Sequence, residues 1–273
     1  ILTANTDGTY TIPAGVQNLL VTVATNPDTI YEGNETFTLS AAASVSGLTL
    51  NASGTGTITD NGSGPDGDDP DTIKDDDRPV LTVGNVTVEE GSSAVFTVNL
   101  DKATASDVTL SLTPEIKSGN SGEAADIGNV TEVSYTDTAG AKQILTANTD
   151  GTYTIPAGVQ NLLVTVATQS DAIYEGNETF TLSAAASVSG LTLNAAGTGT
   201  ITDNGSGPDG DDPGVGKDDD RPVLTVGNVT VEEGSSAVFT VNLDKATESA
   251  VTLTLTPEIK SGNSGEAADI GDV

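Results

Sequence analysis

Ile1-Leu-Thr-Ala-Asn-Thr-Asp-Gly-Thr-Tyr10 returns as Ile144 to Tyr153, and Arg78-Pro-Val-Leu-Thr-Val83 returns at Arg221 to Val226. The chain therefore repeats itself with a period of 143 residues, the size of one small domain. Aligned copies differ at scattered points, such as Asn26 against Gln169, Pro27 against Ser170, Ala105 against Glu248 and Asp107 against Ala250. A repeat this close restricts the fold to a unit that can be strung in tandem. Two full periods would need 13 residues more than the 273 present, and the missing stretch corresponds to Thr131–Gln143. The chain thus reads as the back half of a repeat (1–61), an acidic linker (62–77), one complete repeat (78–206), a second linker (207–220) and a front half (221–273). Ile1 falls mid-pattern, without Met or a signal peptide, as in a piece of a longer array.

Within the complete repeat, short runs rich in Val and Thr are separated by Gly, Asn, Asp and Pro, the punctuation of β-strands. Pro79–Val88 reads as a first strand kinked at Gly84-Asn85. Ala94–Leu100 alternates Val95, Thr97 and Asn99 against Phe96, Val98 and Leu100. Val108–Thr113 follows, then weaker strands at Thr131–Thr136 and Thr152–Ile155 around a polar insertion. Asn161–Thr168 carries Leu163 and Val164. Thr179–Ala185 carries Phe180 and Leu182, and Gly197–Asp203 closes the unit. No stretch keeps a helical period. The expectation is an all-β chain of tandem Ig-like antiparallel β-sandwiches, about seven strands per unit. Neither terminal half then has its partner strands within its own segment.

Charge decides which partners are excluded. Nine Lys and Arg stand against 40 Asp and Glu, a net charge of −31. Such a chain repels nucleic acid and anionic lipid, and no run of 18 apolar residues is present to insert into a membrane. Cations are its natural counter-charge. Cys, His, Met and Trp are absent and aromatics make up 3%. Disulfides, thiolate sites and imidazole chemistry are therefore excluded, and the core must be built from Val, Leu, Ile and Ala. A small β-domain of this composition needs another stabiliser, and a bound metal is one.

Asp171-Ala-Ile-Tyr-Glu-Gly-Asn-Glu-Thr-Phe-Thr-Leu182 packs acids and an Asn around a Gly turn, then enters an alternating strand. Oxygen ligands are what Ca²⁺ takes, six to eight at a time. In a sandwich, loops at one end of the strands cluster. The turn Glu89-Glu90-Gly91, the loop Asp171–Glu178 and the last strand's Asp203 would then share a pole. Glu90, Asp171, Glu175 and Asp203 become candidate metal ligands, with Glu89, Glu178 and the linker acids Asp66, Asp68, Asp209, Asp211 and Asp219 nearby. Asp126, in Gly122-Glu-Ala-Ala-Asp126, is a further candidate. The competing reading makes them solvated turn residues, since Asp, Asn and Gly favour turns. The linkers read either as flexible, self-repelling tethers or as joints that stiffen when cations neutralise them. An EF-hand is excluded, because Pro70 falls at loop position 5 when the loop is started at Asp66.

An enzyme is not expected. Paired carboxylates could serve a glycosidase, but the chain has no Trp platform, no His or Cys, and no Gly-x-Ser-x-Gly. A mechanical spacer is the leading reading. A carbohydrate- or ice-binding module and a calcium sensor are the alternatives.

Val88-Glu-Glu-Gly91, Phe96-Thr-Val-Asn-Leu100, Tyr174-Glu-Gly-Asn-Glu-Thr-Phe-Thr-Leu182 and Gly197-Thr-Gly-Thr-Ile-Thr-Asp203 together resemble the Calx-β motif. The resemblance implies a seven-stranded Ig-like sandwich with calcium at one pole. Its implied ligands are Glu90, Asp171, Glu175 and Asp203, with Asp28, Glu32, Asp60 and Glu233 in the partial copies. The sequence departs from the family where Ser170 or Pro27 replaces an Asp, and in an insertion around Asp137–Asp150. Near-identical acidic units without Cys also resemble the extender arrays of large bacterial RTX adhesins. That resemblance implies an extracellular stalk on the bacterial surface, projecting a distal domain for adhesion or biofilm formation, with Ca²⁺ keeping it extended. Neighbouring repeats are the implied partners. The two cut halves suggest a head-to-tail completion between chains.

Overall fold

A computed structural model describes residues 1–60, 76–203 and 219–260, with positions 263, 265, 270 and 271. All regular structure among them is β, in two compact units, Ile1–Asp77 and Arg78–Val273.

The second unit contains a two-sheet sandwich. Its strands are β1 (Leu81–Val83), β2 (Val86–Glu89), β3 (Ser93–Leu100), β4 (Val108–Glu115), β5 (Ile127–Thr136), β6 (Lys142–Leu145), β7 (Tyr153–Ile155), β8 (Asn161–Thr168), β9 (Glu178–Val188) and β10 (Leu191–Thr202). One sheet runs β6-β5-β8-β3-β1 and the other β7-β4-β9-β10-β2. The ladders are antiparallel except β2 on β10, which is parallel.

The stretch expected as one kinked strand is two strands in opposite sheets. Gly84 makes the crossing: its N–H donates to the Thr97 carbonyl at 2.8 Å, and a Cβ there would overlap the Thr97 hydroxyl. Asn85 then stands in for a ladder carbonyl, its Oδ1 accepting the Thr198 N–H at 2.8 Å. This crossing delivers Glu89 and Glu90 to the end of β10.

Period-two alternation fills the core. Ala94, Phe96, Val98 and Leu100 of β3 point inward, against Val164 and Val166 of β8 and Phe180 and Leu182 of β9. On β8 the inward set is Leu162, Val164 and Val166, while Leu163 is 45% exposed, so only Val164 of the expected pair is core. Adjacent strand residues face opposite ways and cannot both be buried by one sheet packing. Phe96 and Phe180 meet edge to face across the sheets, ring centres 5.7 Å apart and planes at 78°. A Cβ on Gly199, opposite Phe180 in the β9–β10 ladder, would overlap the Phe180 ring, so glycine makes the room for it. Each such apolar side chain contributes about 1.5–3 kcal/mol on burial.

The insertion is a hairpin of β5 and β6, with the Asp137 carboxylate accepting the Ala139 and Ala141 N–H groups at 2.9 Å. Beyond β10, Leu224–Val226 pairs with Val241–Leu243, and Ala246–Thr247 pairs in parallel with Ile173–Tyr174. The segment that opens the next repeat therefore docks beside the Asp171–Glu178 loop.

The first unit holds a hairpin of Glu35–Val45 and Leu48–Ile58, with Phe37 opposite Gly56. Ser46 and Gly47, at φ 48° and 81°, turn it, as Ser189 and Gly190 turn β9 into β10. Both central residues at positive φ suit the right-handed twist of a tight hairpin.

Candidate metal centre

Strand ends bring acids together at one pole of the sandwich. The parallel pairing of β2 with β10 continues one residue further, the Glu90 N–H donating to the Thr202 carbonyl at 3.0 Å. Gly91, at φ 73°, then turns the chain back into β3 and leaves Glu90 buried. Asp203, next to Thr202, is only 2% exposed. Asp220, the last linker residue before the following repeat, is 3% exposed. Glu90, Asp203 and Asp220 each place a carboxylate oxygen within 4.8 Å of the others.

Hydrogen bonds aim this trio. Glu90 Oε1 accepts the Asp171 N–H at 2.8 Å, and Asp203 Oδ2 accepts the Glu175 N–H at 2.7 Å. Asp220 Oδ1 accepts from Lys245 Nζ at 2.8 Å. The remaining oxygens Asp203 Oδ1 and Asp220 Oδ2 are buried without a hydrogen-bond partner, as is Glu89 Oε1. Burial, then the charge of Asp220, push the Asp203 carboxyl up, against the pull of the Glu175 amide.

A second group lies alongside, where Asp126, Glu175 and Glu178 place carboxylate oxygens within 4.8 Å of one another. Asp126 precedes β5 and is fixed by the Glu123 N–H on its Oδ2 at 2.8 Å and by the Gln169 N–H on its carbonyl at 2.9 Å. Glu178 opens β9 and is pushed up to about 8 by burial, by a hydrogen bond with Asp126, and by the charges of Asp126 and Glu175. Glu175 is raised to about 7 by burial, then by Asp126 and Asp171. Without a cation, Glu175 and Glu178 are drawn toward their protonated forms.

The four acids expected to converge are thus divided. Glu90 and Asp203 meet in one group, and Glu175 falls in the other with Glu178 and Asp126. The Asp171 carboxylate joins neither: it is exposed and accepts the Ile173 N–H at 2.7 Å, shaping the loop. Glu89 lies beside the first group's strand, one residue before Glu90. In the first unit, Asp28 repeats the loop contact with the Ile30 N–H at 2.8 Å, and Asp60 repeats the Asp203 contact by accepting the Glu32 N–H at 2.6 Å. Glu32 is raised by Glu35, then by desolvation and the charges of Asp28 and Asp60. Glu233 is exposed. Asp219 is paired with Arg221 at 2.6 Å, which holds its carboxyl down at about 2. Asp66, Asp68, Asp209 and Asp211 lie outside the described residues, as do most linker positions.

Asp220 and Lys245 were not singled out in the sequence. The available signal was position: Asp220 and its counterpart Asp77 immediately precede Arg-Pro at the start of a repeat, and both are buried.

No family profile matches the sequence, and no curated protein matches it. Similar solved structures include the crystal structure of the apo-form Calx CBD1 domain, at 12% identity and TM-score 0.30, covering 45% of this chain and 96% of that one. The solution structure of CaCohA2 from Clostridium acetobutylicum matches at 19% identity and TM-score 0.27, covering 48% and 93%. These likenesses assign no function.

Proposed function

We propose that this chain is a calcium-stabilised structural spacer: tandem β-sandwiches whose poles and joints are held by Ca²⁺, serving as extender repeats of a bacterial surface adhesin. The observation that carries this reading is the trio Glu90, Asp203 and Asp220, which joins the complete repeat to the last linker residue before the next one and leaves buried oxygens of Asp203 and Asp220 unsatisfied. Two like charges 4 Å apart repel by about 4 kcal/mol at a surface-like dielectric, and Lys245 offsets only part of this. The fit is to a hard cation. All donors are oxygen, and the chain has neither the Cys nor the His that would favour zinc or copper. Glu90, Asp203 and Asp220 would hold the ion, which supplies the positive charge that lets them approach. Glu175 and Glu178 with Asp126 form a second place for one.

Because Asp220 ends the linker and accepts from Lys245 of the following repeat, a cation there ties that repeat to the pole. The Ile173–Tyr174 pairing with Ala246–Thr247 and the Glu248 N–H donating to the Tyr174 carbonyl at 3.2 Å lie at the same joint. Weak binding suffices where calcium is millimolar, since stabilisation follows mass action. Near-identical copies and high net negative charge suit an array in which every unit does the same mechanical work.

The test is small-angle scattering and thermal melting of the chain in millimolar CaCl₂ and in chelator, with MgCl₂ as the control. A longer maximum dimension and a higher Tm in calcium are expected, and Asp220→Asn should remove the gain in length. Identical profiles in calcium and chelator would overturn the reading.

A further inference from the structure

Two of the few differences between aligned copies fall on one turn. Lys102-Ala-Thr-Ala-Ser-Asp107 of the complete repeat is Lys245-Ala-Thr-Glu-Ser-Ala250 in the following one. The turn keeps its shape through the change. Thr104 and Thr247 donate their hydroxyls to the carbonyls of Ser106 and Ser249, each at 2.8 Å, and Ala103–Thr104 and Ala246–Thr247 are each a two-residue strand. What changes is charge, and the second copy of the turn lies where charge matters. Ala246–Thr247 pairs in parallel with Ile173–Tyr174, and the Glu248 N–H donates to the Tyr174 carbonyl at 3.2 Å. That bond sets Glu248 beside Glu175, the residue after Tyr174. Three positions earlier, Lys245 Nζ donates to the Asp219 carbonyl and, at 2.8 Å, to Asp220 Oδ1. One turn thus carries a cation to the first acid group and an anion to the second.

We infer that the Lys245–Glu248 turn is a charge-coded latch between the complete repeat and the following one: Lys245 holds it to the end of the linker, and Glu248 pushes it off the group formed by Asp126, Glu175 and Glu178. A turn with alanine in the place of Glu248, as at Ala105, keeps the hold and loses the push. A like charge set against a contact is a device for choosing among otherwise equal partners, and here the partners are near-identical repeats. The two elements differ in strength. The Asp220 side chain is 5% exposed and that of Lys245 34%, so their pair is partly shielded from solvent and salt. Glu248 is exposed, so its push is a surface effect, worth a factor of about two to five. After burial and the nearer acids, its charge adds to the upward push on both Glu175 and Glu178. The inference rests on the reading of the chain as an array of joined repeats, but not on bound calcium.

The test is hydrogen exchange of the full chain, read by mass spectrometry on the peptide 246–252 and corrected for the intrinsic rates of each sequence. Exchange there reports local opening of the joint. In chelator at low salt, Glu248→Gln and Glu248→Ala should each slow it about two- to fivefold against wild type. At about 1 M NaCl, where the screening length falls to about 3 Å, that difference should narrow. Lys245→Met should speed exchange at either salt, with the central repeat's melting unchanged as the folding control. Wild-type rates in both Glu248 variants at low salt would overturn the inference, and so would a wild-type rate in Lys245→Met. A calcium series on the same peptide separates this from the spacer reading. If calcium leaves wild type unchanged while the variants behave as stated, the latch stands and calcium is not what holds the joint. If calcium lengthens the chain while Glu248→Gln matches wild type in chelator, the latch alone fails.

Discussion

The hairpin Glu178–Val188/Leu191–Thr202 and the hairpin Glu35–Val45/Leu48–Ile58 share turn, register and, but for Ser53 in place of Ala196, their sequence, yet only the first is buried. Phe180 lies opposite Gly199 as Phe37 lies opposite Gly56. Pairing within a hairpin is local and survives in either setting. Burial is supplied by the second sheet, and the electrostatics follow the burial. Glu175 is raised chiefly by desolvation, whereas its counterpart Glu32 is raised chiefly by the neighbouring charge of Glu35. One sequence thus gives a core and a candidate ion site in one region, and an open template for both in the other.

Truncating the aromatic core should separate the two regions most widely. Phe180→Ala is expected to cost the central repeat about 3–5 kcal/mol, read from urea unfolding, while Phe37→Ala costs far less. Equal losses would mean that residues 1–60 are as well packed as the central repeat.

Next in size is the effect of removing one carboxylate. Asp203→Asn keeps an oxygen for the Glu175 N–H but removes a buried charge. In calcium it should erase a ligand-linked gain of about 2–3 kcal/mol, the value for roughly 100-fold saturation. In chelator the sign should reverse, the variant melting above wild type because a repulsion is gone. Asp60→Asn should do neither, since residues 1–60 contain no counterpart of Glu90. Paired melts with and without chelator report both signs.

Titration should come after that. Glu175 and Glu178 have folded-state values raised to about 7 and about 8 from 4.5. Between the unfolded and folded values the native state binds more protons than the unfolded chain, so stability falls as pH rises through that window. In chelator the central repeat should be more stable at pH 5 than at pH 8. Glu178→Gln should flatten that slope, and calcium should abolish it by favouring the charged forms. Denaturant midpoints at the two pH values decide.

The smallest effect should be shared by both regions. Asp171→Ala and Asp28→Ala each remove one carboxylate contact to an N–H two residues on, and each should cost about 1 kcal/mol or less. Hydrogen exchange at Ile173 and Ile30 would show it. A much larger loss at Asp171 in calcium alone would assign that carboxylate to the ion after all.

The tandem period, the β-class, the alternation of Phe96, Val98 and Leu100 and the polar convergence of Glu90 with Asp203 were legible in the chain. Each rests on spacing along the backbone, which strand geometry turns into direction. The two-sheet split of Leu81–Val83 and Val86–Glu89, the outward Leu163, the sorting of Glu175 away from Glu90 and the entry of Asp220 were not. Those depend on which sheet a strand joins and on how deeply a carboxylate is covered. Such matters are settled when distant segments pack together, because burial and the distance between charges are properties of the assembled sandwich and not of any stretch within it.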